Sequence, residues 1–195
     1  RSQKIIDRHG LAGRKVILTV SRLALAERYK GHDYVISALS MLRQGHPELV
    51  YLVVGGGDGL DRLKHVATTF GVADRVIFAG KVAHEELPEY FRTADVFVMP
   101  SVKEGFGIVF LEAAACGLPV IGGNRDGSVD ALAEGVIGTL VDPEDPAMIA
   151  RAIDNALRSK PRGVLQAVAR FSKQNFEQHV GNMIEELTSG QVETS

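Results

Sequence analysis

The feature that most constrains this chain is a set of apolar segments that do not alternate. "KVILTV" (15–20), "LVYLVVG" (49–55), "RVIFAG" (75–80), "DVFVMPS" (95–101), "LPVIGG" (118–123) and "GTLVDP" (138–143) set aliphatic residues side by side, many of them β-branched. A strand with one wet face would alternate apolar and polar residues; a continuous run needs cover on both faces. Between the runs lie stretches with helical spacing: "HDYVISALSMLRQ" (32–44), "LDRLKHVATTFG" (60–71), "ELPEYFRTA" (86–94) and "GIVFLEAAACG" (107–117). This rhythm predicts an α/β fold, a doubly wound, Rossmann-like parallel sheet with helices on both sides.

After Pro146 the pattern turns wholly helical: "AMIARAIDNAL" (147–157), "RGVLQAVARF" (162–171) and "KQNFEQHVGNMIEEL" (173–187). The expected division is a linker over 1–14, a Rossmann-like domain over 15–160, appended C-terminal helices over 161–188 and a frayed tail over 189–195. The chain begins with Arg1 rather than Met, which fits a piece of something longer.

Composition then narrows the partners. With 22 basic and 24 acidic residues and no run of five like charges, the chain advertises no nucleic-acid surface. Cys116 is the only cysteine, so no disulfide forms within the chain and a cytoplasmic location is the easier expectation. No stretch approaches the roughly 18 apolar residues of a membrane span.

Doubly wound sheets bind ligands beyond the carboxyl ends of their strands. "VKEGFG" follows "DVFVMPS" at that edge, and a helix starting near Gly107 would aim its N-terminus there. Open amides and the helix dipole favour an anion, and the glycines let a phosphate approach the backbone. Glu104 precedes that anion site and Glu112 lies one turn into the helix, so each carboxylate suits a neutral hydroxyl beside the phosphate. The implied ligand reads sugar, diphosphate, ribose. Arg22, Arg28 and Lys30 leave the first strand at the same edge and could neutralise the diphosphate. "VVGGGDG" brings backbone close to a ligand or to a neighbouring segment, and "FAGKV" offers a rim for the base.

Competing readings remain at several positions. Gly55, Gly56 and Gly57 serve a strand-to-helix turn as readily as a ligand. Arg22 could be a surface ion pair, and Cys116 is a small packed residue. The six histidines show no metal spacing. No G-x-x-x-x-G-K-[ST] occurs, Phe110 stands where a dinucleotide fingerprint needs its third glycine, and there is neither a G-x-S-x-G elbow nor an Asp-x-Asp pair.

Taken together, the residues from about Lys15 to about Leu187 resemble the nucleotide-binding, C-terminal half of retaining glycosyltransferases with the glycosyltransferase B fold, the bacterial group 1 enzymes of family four. The most specific element is the E-x7-E signature, Glu104 to Glu112. The resemblance implies that Glu104 meets donor-sugar hydroxyls and that Gly105, Phe106, Gly107, Ile108 and Val109 line the sugar and diphosphate. It also implies that Glu112 holds the ribose, that Arg22 and Lys30 bind the diphosphate, and that Gly56, Lys81 and Val82 border the donor. Glu104, Arg22 and Lys30 would carry the catalytic role.

No metal and no cofactor are implied. The partners would be a nucleoside-diphosphate sugar and an acceptor held mainly by the absent N-terminal domain, with peripheral membrane association of the full-length protein left open. The activity would be sugar transfer in glycan or glycolipid synthesis. A sugar-nucleotide epimerase and a non-catalytic nucleotide-binding module are the alternatives. Two departures stand out: "LALAERY" lengthens the gap between Arg22 and Lys30, leaving Arg28 as a rival, and Asp126, Gly127 and Asp130 occupy positions where the family usually has two glycines and a glutamate.

Overall fold

The computed structural model describes residues 1–158, 164–169, 171, 175 and 178. Six strands form one sheet: β1 (Lys15–Val20), β2 (Leu49–Val54), β3 (Val76–Gly80), β4 (Val96–Met99), β5 (Val120–Gly123) and β6 (Thr139–Val141). Every pairing is parallel and the spatial order is β3-β2-β1-β4-β5-β6. The helices are α1 (Gln3–His9), α2 (His32–Leu42), α3 (Leu60–Thr69), α4 (Leu87–Thr93), α5 (Ile108–Ala115), α6 (Ser128–Ala131), α7 (Pro146–Arg158) and α8 (Val164–Ala169). The doubly wound α/β expectation is met. The direction of winding reverses between β1 and β4, so the loops leaving these two neighbours diverge and open a crevice at their carboxyl ends.

The strands lack alternation because both faces are covered. Val16 and Leu18 enter a cluster with Phe91, Phe97 and Phe110, beneath α4 and α5. Ile17 enters the opposite cluster with Ile36, Leu39, Leu63 and Ile149, beneath α2, α3 and α7. All six residues of β2 are buried. Burying a large aliphatic side chain contributes roughly 1.5–3 kcal/mol, which strands this short need because their ladders are brief.

One boundary differs from the expectation. Residues 1–14 are not a bare connector: α1 packs on α4 with Ile5 and Leu11 fully buried, and Gly10 ends the helix in the left-handed region at φ 63°. Arg8 and Lys4 both bind Glu86 and hold its carboxyl down at about 2, which fastens this segment to the start of α4. The physical reason is the apolar pair Ile5 and Leu11, spaced to reach the same cluster from a helix and the turn after it. α7, inside the 15–160 span, lies along α2 with Ile149 and Ile153 fully buried. Of the residues expected as appended helices, α8 is described, and Ala167, Val168 and Phe171 pack against the α5 side of the core. The remainder of 161–188 and the tail 189–195 lie outside the described residues. No helix among the described residues is long and apolar enough to cross a membrane.

Candidate functional site

The loop after β4 is shaped by one glycine and the core beneath it. Gly107 takes φ 84° and ψ 63° and opens α5, and a Cβ there would meet the Phe110 ring at 2.5 Å. Phe110 is fully buried and packs edge-on against Phe97, so the start of the helix is fixed from below. No side chain caps that end, and Ile108 is 67% exposed. The first-turn amides therefore face outward, where an anion can accept from them. A Cβ at Gly105 would meet nothing within 4 Å. Glycine at 105 is not demanded by the chain itself.

The loop after β1 meets this loop across the crevice. Gly31, at φ 78°, would place a Cβ 2.4 Å from the Pro100 carbonyl oxygen, and the Val102 amide donates to Tyr29 at 3.1 Å. That close approach delivers Lys30, whose Nζ donates to Glu104 Oε2 at 2.5 Å while lying 5.4 Å from the centre of the Tyr29 ring. The two side chains are only 13% and 17% exposed. A half-buried ion pair of this kind needs both members, because losing one leaves the other desolvated and unpaired.

The long segment "LALAERY" folds as a 3₁₀ turn, Leu25–Lys30, and sorts the rival cations. Arg28 turns toward Asp33 at 4.0 Å, a carboxylate already held by Arg62 at 2.6 Å. Arg22 stays 80% exposed and pairs with Glu27, itself only 10% exposed. It also lines a cleft of about 280 Å³ with Val20, Val54, Gly56, Lys81 and Val82, at the carboxyl ends of β1, β2 and β3. The structure thus gathers Arg22, Gly56, Lys81 and Val82 in one cleft, and Lys30 with Glu104 in one ion pair.

The glycines of "GGGDG" have separate reasons. A Cβ on Gly55 would lie 1.8 Å from the Ser21 carbonyl oxygen, and one on Gly57 would lie 2.4 Å from the Leu23 carbonyl carbon. Leu23 in turn donates its amide to the Gly56 carbonyl at 3.1 Å. These two glycines let the loop after β2 brace the loop after β1. At Gly56 the atoms nearest an added Cβ belong to the flexible Lys81 side chain, at 3.0 Å, and both residues line the cleft.

A buried chain of hydrogen bonds, not expected from the sequence, anchors the same loop. Thr19 donates to the Val98 carbonyl, the Tyr51 and Thr19 hydroxyls are 2.8 Å apart, and His32 joins Tyr51 through Nδ1 and Ser21 through Nε2, each at 2.8 Å. A carbonyl only accepts, so each hydroxyl donates onward. Tyr51 donates to Thr19, His32 Nδ1–H donates to Tyr51, and Nε2 accepts from Ser21. The Ser21 hydroxyl also lies 3.2 Å from the Arg22 carbonyl, so it is burial that keeps His32 neutral, driving its pKa down to about 4 despite the nearby Asp33.

Because the folded value lies below the ordinary 6.5, the unfolded chain takes the proton first. Stability from this group is complete above about pH 6.5 and drains as pH falls toward about 4. The urea midpoint should therefore fall between ~pH 7 and ~pH 4.5, with a shallower fall in His32→Gln. Equal slopes in the two proteins would contradict the neutral assignment. The only sequence signal for this chain was a histidine directly after the Lys30–Gly31 pair.

Other expected residues fall at the same edge. Phe106 is half-buried, its ring 5.7 Å from that of Phe171. Glu112 sits on the second turn of α5, and its carboxylate makes no hydrogen bond or ion pair among the described residues. Asp126 proves to be structural to the site: its Oδ2 accepts from the Glu104 amide at 2.6 Å and its Oδ1 from the Ser128 amide at 3.0 Å. Cys116 is half-buried, and burial pushes its thiol pKa up, away from reactivity. Among the described residues no three His, Cys, Asp or Glu side chains cluster as metal ligands.

Comparison with known proteins places this geometry. The GDP-mannose-dependent alpha-(1-6)-phosphatidylinositol monomannoside mannosyltransferase of Mycolicibacterium smegmatis is 37% identical over 197 residues, an alignment covering 96% of this chain and 51% of that protein. The structure of Anabaena HepE in complex with UDP superposes with a TM-score of 0.80 at 25% identity, covering 94% of this chain and 52% of that one. The C-terminal domain of a glycosyl transferase group 1 family protein from Francisella tularensis shares the fold at a TM-score of 0.67 and 24% identity, over 82% of this chain and 85% of that domain. This chain spans about half the length of the mycobacterial relative and of HepE. The fold expected from the resemblance, the nucleotide-binding half of a glycosyltransferase B enzyme, is the one found. The model of the family "Glycosyl transferases group 1" matches residues 2–178. That span takes in α1, every strand of the sheet and both carboxylates of the loop and helix after β4, and the chain belongs to the group 1 glycosyltransferases.

Proposed function

We propose that this chain is the donor-binding domain of a retaining glycosyltransferase that moves a sugar from a nucleoside diphosphate to an acceptor, in glycan or glycolipid synthesis. The observation that carries the reading is the Lys30–Glu104 pair, set beside the uncapped start of α5 where the winding of the sheet reverses. A cation, open amides and a carboxylate meet there, matching a ligand in which a diphosphate adjoins a sugar. The relatives support the nucleotide class: one is GDP-mannose-dependent and one was solved with UDP.

In this reading Lys30, Arg22 and the amides of Ile108 and Val109 stabilise the charge that grows on the departing diphosphate, the kind of interaction that usually dominates such catalysis. Glu104 accepts from sugar hydroxyls and Glu112 from the ribose. Gly56, Lys81 and Val82 border the base. Gly105, with open space where a Cβ would stand, lets the donor lie against the loop. The acceptor is held mainly by a separate N-terminal domain, and the whole protein works at the cytoplasmic side, with a membrane-peripheral placement for lipid acceptors.

Fixed cations take the place that a divalent metal has in other sugar-nucleotide sites, so donor binding should need none. The test is thermal unfolding of the chain with UDP, UDP-glucose, GDP and GDP-mannose, each with and without chelator. One nucleotide family should stabilise the chain by about 2.7 kcal/mol at a hundredfold excess over its dissociation constant, unchanged by chelation. Stabilisation that vanishes with chelator would overturn metal independence. No stabilisation by any of the four would overturn the donor reading itself.

A further inference from the structure

Asp126 lies on the loop after β5, 22 residues from the Glu104 amide it binds. The two loops are tied in both directions. Asp126 Oδ2 accepts from the Glu104 amide at 2.6 Å, and the Glu104 carbonyl accepts from the Gly127 amide at 2.9 Å. The second carboxylate oxygen accepts from the Ser128 amide at 3.0 Å, which fixes the Asp126 side chain relative to α6. Contact is so close that a Cβ on Gly127 would lie 2.1 Å from the Gly105 carbonyl oxygen. Both carboxylate oxygens are thus used on backbone amides, one local and one on the loop that carries Glu104.

We infer that Asp126 is a positioning residue that clamps the backbone of Glu104, and thereby sets where the Glu104 carboxylate stands relative to Lys30 and a donor sugar. A carboxylate that accepts from backbone amides makes charge-assisted bonds, stronger than those of a neutral side chain. Asp126 supports the side of Glu104 where the loop is open: Gly105, which follows, has no atoms near its Cβ position, and Gly107 takes a left-handed conformation. Asn in place of Asp126 keeps the shape but offers one acceptor oxygen for two amides, with an NH2 facing the other. Asp126→Asn therefore releases one anchor while preserving volume.

The clamp itself is independent of any ligand, whereas its consequence for sugar binding rests on the donor reading. In the free chain the Glu104 amide should exchange slowly with solvent and resonate downfield, and Asp126→Asn should remove both signatures without melting the sheet. In binding, calorimetry with UDP-glucose and UDP, and with GDP-mannose and GDP, should show the sugar nucleotide weakened by about tenfold in the variant and the bare diphosphate by less than about twofold. A general structural role would weaken both members of a pair alike, and that result overturns the inference. A fast-exchanging Glu104 amide in the unaltered chain overturns it as well. A protected amide in a chain that binds none of the four nucleotides would support the clamp and overturn the donor reading, so the two failures are distinguishable.

Discussion

Lys30→Ala should weaken UDP or GDP binding by ten- to a hundredfold, while binding of the bare nucleoside changes little. A lost charge-assisted hydrogen bond corresponds to about 1.5–3 kcal/mol, which is about that range in affinity. The structure adds a competitor to the account, because Lys30 already donates to Glu104 and both are largely buried. A diphosphate must therefore share or displace Glu104, and the sugar hydroxyls then become its replacement partners. Glu104→Gln should accordingly leave diphosphate binding unchanged or tighter, since the amide no longer holds the ammonium by charge, yet weaken the sugar nucleotide.

Arg22→Ala should have a smaller effect than Lys30→Ala. Its guanidinium is 80% exposed and its pair with Glu27 is screened by solvent. Isothermal titration of these three variants and of Arg28→Ala with UDP, UDP-glucose, GDP and GDP-mannose decides the matter. A Lys30→Ala variant that binds diphosphate normally, or a loss that follows Arg28→Ala instead, would remove Lys30 from the site.

The largest expected effect on stability is at Gly55. Its φ of 138° suits few residues other than glycine, and an added Cβ would lie 1.8 Å from the Ser21 carbonyl oxygen, a backbone atom with no room to withdraw. Overpacking and backbone strain, about 1–3 kcal/mol each, should together cost about 3 kcal/mol or more. For a domain of this size that lowers the melting temperature by roughly 6–12 °C. Gly105→Ala is the control from the same edge of the sheet: with nothing near its Cβ it should leave stability within about 0.5 kcal/mol, yet weaken the donor if the ligand lies there. Thermal and urea unfolding of both variants, followed by titration of Gly105→Ala with donor, separates a glycine the chain needs from one the ligand needs. A Gly55→Ala protein as stable as the parent would show that the loop after β1 can move away from it.

The sheet was legible from the residues because burial on both faces leaves a local trace. A strand such as β2, buried at every position, must be apolar at every position, and its shortness and β-branched residues separate it from a buried helix. The start of α5 was legible for a related reason, since an acid, two glycines and an apolar run state a turn and a helix within nine residues. α1 was misjudged because an amphipathic segment of that length reads the same whether it flanks a domain or completes it. Only the partners decide, and for Ile5 the partners come from strands and helices far along the chain.

Site composition follows the same division. Sequence by itself determined which chemical groups reach the carboxyl edge, since that depends on what directly follows each apolar strand: Arg22 and Lys30 after β1, Gly56 after β2, Lys81 after β3 and Glu104 after β4. The pairing among them was decided by tertiary structure. Strand order puts β1 beside β4, and that adjacency brings Lys30 to Glu104, 74 residues away. The pairing of β4 with β5 likewise sets Asp126 against the Glu104 amide. Ionic and hydrogen-bonding partners are chosen by distance in space, on a scale of about 3 Å, and a sequence carries that distance only for residues that are close along the chain.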